Sequence, residues 1–203
     1  PAEVALMQEA ARLSVRAHQA AMRAARPGLF EYELQADLER EFRAGDACPA
    51  YSSIVGAGAN ACVLHYRDNN AQSAADDLVL IDAGAEYRGY ACDITRPHAQ
   101  EGASDFQALI DAVDRVEQAL CANVRGGVDY RQLHLDAHLA LAGVLREADI
   151  ITVAPEEAVA TGVSSAFFPH GIGHGLGLQV HDVAGFAASE TGGVIAKPDS
   201  HGY

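Results

Sequence analysis

Two aspartates, Asp82 and Asp93, lie in a segment whose pattern predicts a hairpin that brings their side chains together. The apolar run Leu78–Ile81 leads into the first aspartate, and Arg88-Gly89 marks a turn before the second. A loop at Tyr87-Arg88 pairs the two aspartates directly, with Cβ atoms about 4.5–5.5 Å apart. Like charges held that closely on buried strands require a shared proton or a cation between them. The segment therefore predicts a metal-binding carboxylate pair. Without metal, at least one of the two carboxyl groups is expected to have a raised pKa.

Three histidines form a second group of residues that could do chemistry, since His170, His174 and His181 fall within twelve residues. Glycine occupies every second position from Gly171 to Gly177. Each glycine costs a helix about 1 kcal/mol relative to alanine, so an extended conformation is expected. That conformation places His170 and His174 on one face and the glycines on the other, where a backbone or ligand can approach closely.

A fourth histidine, His65, ends the apolar run Val63–Leu64. A single histidine is more often a packed or surface group than a ligand, so His65 alone indicates only the end of a strand.

Three histidines in one glycine-lined segment, in a chain that also carries the aspartate pair, make ligand and structural roles about equally expected.

The composition is that of a globular protein with an ordinary core. The chain has 203 residues, of which 49% are hydrophobic and 21% charged, and its formal net charge is −14. Such an acidic chain is not expected to bind nucleic acid or an anionic membrane. Four cysteines without a CxxC pair predict reduced thiols in a cytoplasmic protein, and no apolar run is long enough for a transmembrane helix. We predict a single domain over residues 1–203.

Apolar periodicity predicts helices joined by short strands, without the regular alternation of a parallel α/β fold. The expected class is α+β with an antiparallel sheet. Strands are expected at Ile54-Val55 and Cys62–Leu64, on either side of Gly56–Asn60, and strands and loops are expected from Ile150 onward. The acidic residues of the first two helices are predicted to form solvated faces. The predicted helices cover residues 2–25, 31–44, 104–124 and 129–147.

Three other patterns suggest chemistry less strongly. His134 and His138 have helical spacing, but Leu135 stands where a zincin motif needs glutamate, so a surface or packing role is expected. Gly56-Ala57-Gly58 lacks the third glycine of a dinucleotide loop and predicts a turn. Cys92 should point away from its neighbour Asp93 and has no evident base partner.

Four segments together resemble the proline-specific metallopeptidases, namely Xaa-Pro dipeptidase (prolidase) and aminopeptidase P. Order, spacing and residue types agree in all four, and the resemblance extends from about residue 3 to the end of the chain. It implies the pita-bread fold, which these enzymes share with methionine aminopeptidase. The last segment is closer to prolidase than to methionine aminopeptidase. The segments are Val63–Tyr66, Leu78–Gly84, Gly89–Arg96 and Pro169–Val183.

The resemblance also implies a role for each candidate residue. Asp82 would chelate one metal ion, Asp93 would bridge two, and His174 would be the imidazole ligand of the second. His65 and His181 would be catalytic and line the substrate pocket. His170 would contact the metal ligands without binding a metal ion itself. The oxygen and nitrogen donors suit two divalent ions, Mn²⁺ by preference, with Co²⁺ or Zn²⁺ as alternatives. A hydroxide held between the ions would hydrolyse the Xaa-Pro bond.

The expected substrate is a proline-containing dipeptide or short peptide, and a homodimer is expected by analogy. The family completes its metal site with two glutamates after the His181 segment, and this chain ends at Tyr203 before either would appear. We therefore predict an incomplete catalytic domain, whose C-terminal part is missing and whose activity the missing glutamates would limit. Glu190 lies in neither glutamate motif and is not predicted as a ligand.

Three alternatives remain open. One is aminopeptidase P, and another is an inactive relative that binds peptide or protein. The third is a metal-free hydrolase of creatinase type, and the retention of both Asp82 and Asp93 argues against it.

Overall fold

The computed structural model describes residues 2–183, 187–189 and 191–194, so Glu190 and the last nine residues lie outside the described part. Helices and short antiparallel strands make up its secondary structure, which confirms the predicted α+β class. The chain forms two compact units, residues 1–107 with 175–183 and residues 108–174 with 184–203. Within the described residues, no helix is both long and apolar enough to cross a membrane.

Unit 1 contains two long helices and two small sheets. Helices α1 and α2 match the predicted helices to within a residue at each end. One sheet has the order β2-β3-β6 and the other β1-β4-β5, and every neighbouring pair is antiparallel. The elements are α1 (Ala2–Ala24), α2 (Glu31–Ala44), β1 (Cys48–Pro49), β2 (Ile54–Ala57), β3 (Leu78–Asp82), β4 (Ala85–Tyr87), β5 (Tyr90–Ala91) and β6 (Thr95–Ala99).

The strand predicted at Cys62–Leu64 is wrong. A 3₁₀ helix covers Gly58–Cys62, and Val63 and Leu64 follow it in a turn with half or more of their surface exposed. The apolar pair gains no sheet partner because the chain after β2 bends away into this 3₁₀ helix.

The core of unit 1 lies between the two helices and the β2-β3-β6 sheet. Apolar side chains recur every four residues along each helix, so one stripe of each faces inward. The strands contribute Val55, Val79 and Ile81 to the same cluster. The helical residues of this core are Leu13, Ala17 and Ala21 from α1 and Leu34, Leu38 and Phe42 from α2.

Unit 2 is mainly helical. Helices α3 (Ser104–Asn123), most of which lies in this unit, and α4 (Tyr130–Glu147) confirm the predicted helices over 104–124 and 129–147. The prediction of only strands and loops after Ile150 is wrong, because two short helices, α5 (Pro155–Ala160) and α6 (Val163–Phe167), follow. These helices are too short to show an apolar period. A small pair, β7 (Ala187–Ser189) and β8 (Gly192–Val194), comes later in the chain.

Two side chains of helix α1, one turn apart, form hydrogen bonds with the backbone of the aspartate hairpin. Ser14 Oγ accepts a hydrogen bond from the Ala85 N–H at 2.8 Å, and His18 Nε2 donates to the Ala83 carbonyl at 3.0 Å. Between these residues, Gly84 packs so closely that a Cβ atom there would stand 1.7 Å from the Cys92 carbonyl oxygen. Only glycine permits the two strands of the hairpin to approach in this way.

Replacing Gly84 with alanine should therefore destabilise the protein. The added methyl group meets backbone rather than a flexible side chain, so we expect a loss of about 3 kcal/mol, the upper part of the usual overpacking range. Urea unfolding measures this change. Gly143→Ala is the matched control, because Gly143 lies within α4 with nothing inside 4 Å of an added Cβ. The control should raise the unfolding free energy by up to about 1 kcal/mol. Equal midpoints for the two variants would contradict the close approach at Gly84.

Candidate metal centre

The hairpin that carries the two aspartates has a different register from the predicted one. Tyr87 pairs with Tyr90 across a two-residue turn at Arg88-Gly89, whose φ angles are 51° and 87°. Two positive φ angles are typical of the tight turn that joins twisted antiparallel strands. Asp82 therefore lies opposite Thr95, not opposite Asp93.

The direct pairing of Asp82 with Asp93 is thus wrong, because the predicted loop began one residue too early. A loop displaced by one residue shifts every cross-strand partner by two. Side chains alternate between the faces of a strand, so a two-residue shift keeps both aspartates on the same face. They become diagonal rather than direct neighbours, and diagonal neighbours are still within reach of one another.

Tyr51 connects the two carboxylates. Its hydroxyl oxygen lies 2.5 Å from Asp82 Oδ1 and 2.9 Å from Asp93 Oδ1. A phenol carries one proton, so it can donate to only one of the two oxygens at a time. When both aspartates are ionised, the other oxygen faces the phenol oxygen without a proton between them. The group therefore favours an additional proton or a cation.

Burial sets the ionisation of this group. The pKa of Asp82 is raised, chiefly because burial disfavours its charged form and also because Asp93 is nearby. This is the direction that the sequence predicts for one member of the pair. Burial and the Asp82 carboxylate also raise the pKa of Tyr51, so the phenol keeps its proton as a hydrogen-bond donor.

The aspartate pair opens into a cavity of about 370 Å³ in unit 1. His65 and His181 line the same cavity, so four of the six predicted site residues meet there. A ring nitrogen of His181 lies within 4.8 Å of an Asp93 carboxylate oxygen. Arg67 also lines the wall and places a positive charge near the carboxylates.

The segment that carries His181 is a compact turn. Ala91 of the hairpin donates its N–H to the Gly177 carbonyl at 2.9 Å, and the Asp182 N–H donates to the Gly175 carbonyl at the same distance. A Cβ atom at Gly177 would stand 2.2 Å from an Asp182 carboxylate oxygen. Gly177 therefore permits the tight packing in the segment that brings His181 to the cavity.

His170 and His174 belong to unit 2 and are described with it. The ring of His170 packs edge-on against Phe168, with ring centres 5.0 Å apart. The Tyr130 hydroxyl donates to the Gly173 carbonyl at 2.7 Å and so fixes the backbone beside His174. Residues 168–177 form no regular strand, and only an isolated bridge at Gly175 has the extended pairing that the glycine pattern predicted. The ligand role of His174 stays a prediction.

The second histidine pair, His134 and His138, has the packing role that the sequence favoured. Both rings are fully buried, and their Nε2 atoms lie 3.1 Å apart. His138 Nδ1 lies 3.0 Å from Ser164 Oγ, and both rings contact Phe168. The pair thus joins α4 to α6 inside unit 2.

The donor set of the cavity suits a divalent ion. Asp82 and Asp93 offer carboxylate oxygens on one face, His181 offers an imidazole nitrogen, and no thiolate is among the described residues that line the cavity. Oxygen and nitrogen donors of this kind bind Mn²⁺, Co²⁺ or Zn²⁺. A bound cation would also resolve the proton deficit around Tyr51.

The sequence analysis missed two residues of this cavity, Tyr51 and Arg67. Tyr51 precedes β2 in an irregular segment, where no periodicity indicates which way its side chain points. Arg67 had a detectable signal, because it follows His65 by two residues and an extended loop would place both on one side.

The family of the chain is established by comparison with known proteins. The sequence model of metallopeptidase family M24 matches residues 5–200. The Xaa-Pro dipeptidase of Xanthomonas axonopodis pv. citri (strain 306) is 51% identical over 204 residues, which cover 100% of this chain and 46% of the relative. The chain thus spans about half the length of the curated relatives it matches.

Solved structures agree with the sequence comparison. Proline aminopeptidase P II from Yersinia pestis has a TM-score of 0.87 and 37% identity, and the match covers 96% of this chain and 45% of that one. Zn-substituted E. coli aminopeptidase P in complex with product has a TM-score of 0.85 and 33% identity, covering 97% and 45%. The predicted pita-bread fold and the resemblance to proline-specific metallopeptidases are thereby confirmed, and the chain belongs to metallopeptidase family M24.

Proposed function

We propose that this chain supplies the aspartate half of a dinuclear metal site that hydrolyses Xaa-Pro peptide bonds. The observation that carries the proposal is the convergence of Asp82 and Asp93 on one phenol hydroxyl, in a cavity that His65 and His181 also line. The name of the 51% identical relative, Xaa-Pro dipeptidase, supports a dipeptidase. Mn²⁺ is the proposed metal, and His174 is retained as a ligand from the resemblance alone.

Each residue of the cavity has a proposed task that reflects its chemistry. Asp82 and Asp93 would hold the metal ions, and Tyr51 orients one of the two carboxylates by donating its proton to it. When bound, the metals supply Lewis acidity toward the peptide carbonyl and an activated water. His65 and His181 hold the substrate carbonyl or carry a proton between solvent and the cavity. The imino nitrogen of proline has no N–H, so recognition depends on such contacts to the carbonyl and to the chain ends.

Aminopeptidase P is the second candidate, because the solved structures that match this chain carry that name. The two activities differ in the group on the C-terminal side of proline. A dipeptide ends in a carboxylate at that position, whereas an aminopeptidase P substrate continues with another peptide bond. Both candidates use the same carboxylate pair. Comparing the cleavage of Xaa-Pro dipeptides with that of longer Xaa-Pro peptides therefore separates them better than any metal measurement. A cytoplasmic location and a homodimer stay predictions.

Removal of one carboxylate tests the metal site. We expect Asp82→Asn to weaken Mn²⁺ binding by at least about 100-fold, since loss of a mere supporting contact costs 10- to 100-fold. Titration calorimetry with Mn²⁺ measures this, on the chain and on the longest natural protein that contains it. Asp76→Asn is the matched control, because Asp76 is exposed and lies outside the cavity. Equal affinities for Asp82→Asn and the parent would refute the site.

The metal-free protein should become less stable as pH rises through the raised pKa of Asp82. The folded state keeps a proton on Asp82 to higher pH than the unfolded chain does, since the pKa of this carboxyl group in the unfolded chain is near 3.8. Protonation of Asp82 therefore adds to the free energy of unfolding. This contribution is fully present below the pKa of Asp82 in the unfolded chain and is lost above its pKa in the folded protein. Urea midpoints measured with chelator from acid to neutral pH test the sign. Asp82→Asn should lack the decline, and a parallel decline in both proteins would assign it to other groups.

Arg67 provides a test of the dipeptidase assignment. If the protein is a dipeptidase, the Arg67 guanidinium can pair with the free carboxylate of the substrate's proline. We expect Arg67→Gln to raise KM for an Ala-Pro dipeptide about 10- to 100-fold, the value of one charge-assisted hydrogen bond. The inhibition constant of an Ala-Pro-Ala tripeptide, which a dipeptidase does not cleave, should change little. The assay uses the full natural protein loaded with Mn²⁺, and Arg23→Gln, on the last turn of α1, is the control. Equal effects on the two peptides would favour aminopeptidase P.

A further inference from the structure

Glu31, at the start of α2, is a buried carboxylate that the metal site does not use. Only 1% of its surface is exposed, although the sequence predicted a solvated acidic face for this helix. That prediction is wrong at Glu31, because partners from residues 57–71 surround its side chain. Four donors reach its two oxygens. Oε1 accepts from the Ala57 N–H at 2.7 Å and Asn60 Nδ2 at 3.0 Å, and Oε2 accepts from Tyr66 Oη at 2.8 Å and the Ala71 N–H at 2.9 Å.

The partners of Glu31 enclose the loop that carries His65. Asn60 and Tyr66 lie on either side of the exposed Val63–His65 turn, and the Asn60 amide also donates to the Tyr66 hydroxyl at 3.0 Å. The Glu31 N–H donates in return to the Ala71 carbonyl at 2.9 Å. Burial and the Glu31 carboxylate raise the pKa of Tyr66, so its hydroxyl remains a donor.

The loop cannot rely on core packing to hold His65. Val63 and Leu64, the preceding residues, are 51% and 66% exposed, and His65 has a φ angle of 54°. A side chain other than glycine adopts this left-handed conformation only where surrounding contacts enforce it. A hydrogen bond from the Tyr66 N–H to the Val63 carbonyl, at 3.3 Å, closes the turn. Tyr66 and Ala71, which follow it, are both hydrogen-bonded to Glu31.

A second polar contact from α2 supports the same loop further along. Gln35, one turn after Glu31, accepts a hydrogen bond from Asn69 Nδ2 at 2.8 Å. Asn69 in turn accepts from the Val55 N–H and donates to the Ser53 carbonyl. Among the described strands, β2 has a sheet partner on one side only, so these side chains complete its outer edge. Loop and edge strand are therefore held by one face of α2.

We propose that Glu31 is a positioning residue for His65, acting through Tyr66 and Ala71 to hold the wall of the cavity where substrate binds. The proposal rests on the proposed function only for the role of His65 toward substrate. The mechanical part, that the buried carboxylate orders the loop, stands on the contacts themselves. Glu31 is not among the described residues that line the cavity, and its side chain bonds to the His65 loop and to Ala57 of β2, so its effect on the reaction passes through these two segments.

Glu31→Gln tests the proposal with nearly unchanged shape. A glutamine has one acceptor oxygen and one NH₂ group, so at least one backbone N–H, of Ala57 or Ala71, would face a donor instead of an acceptor. Tyr66→Phe is the milder second variant, since it removes no charge and only the two hydrogen bonds of the hydroxyl, one to Glu31 and one from Asn60. We expect both to speed hydrogen exchange of the amides in residues 63–70. In the full natural protein loaded with Mn²⁺, both should lower kcat/KM for Ala-Pro by about 10- to 100-fold.

Glu39→Gln is the matched control, because Glu39 lies on the same face of α2 and accepts from Ser53 Oγ at 3.0 Å but has no contact to the loop among its described hydrogen bonds. It should lower overall stability while leaving loop exchange and kcat/KM unchanged. Loop exchange in Glu31→Gln and Tyr66→Phe equal to that of the parent would overturn the positioning role. The proposed function would instead be overturned if the two variants speed loop exchange but the unsubstituted protein cleaves no Xaa-Pro bond.

Discussion

Two half-buried carboxylates that share one hydroxyl proton impose the main constraint on unit 1. Asp82 and Asp93 approach the same phenol oxygen, and burial raises the pKa values of Asp82 and Tyr51. Such a group is unfavourable for the isolated fold, because its charge is partly desolvated. The same features suit the divalent ion that we propose for this site. The destabilising arrangement is therefore what a metallopeptidase needs at this position.

The strands that carry this pair are too short to hold themselves, and helix side chains replace the missing sheet partners. Ser14 and His18 on α1 bond the backbone on both sides of Gly84, where the hairpin strands approach most closely. Glu31 does the same for β2 and the His65 loop. These polar contacts are buried and directional, so they fix the backbone more narrowly than apolar packing would. Rigid support of this kind keeps carboxylates and imidazoles at fixed separations.

The sequence allowed prediction of the features that depend on local pattern. The long helices have clear apolar periods, and Arg88-Gly89 indicated the turn, so the hairpin and the common face of Asp82 and Asp93 were predictable. The register was not, because a loop one residue earlier fits the same residues. Glu31 shows a second limit, since its burial depends on donors 26 to 40 residues away. Tyr51 lies in an irregular segment, where no period indicates the direction of a side chain.

The dipeptidase and aminopeptidase P names of the relatives are compatible with a single site. In the proposed function, the carboxylate pair would hold the metals that act on the scissile bond, and this bond is the same in both reactions. What differs is the group after proline, and that group can meet only the walls of the cavity. The His65 loop forms part of this wall and contacts the core through polar anchors at Tyr66, Asn69 and Ala71. Substitutions between these anchors, such as at Arg67, can alter which group after the substrate's proline fits the cavity, without disturbing the aspartates. Specificity in this fold can therefore change while the metal chemistry stays constant.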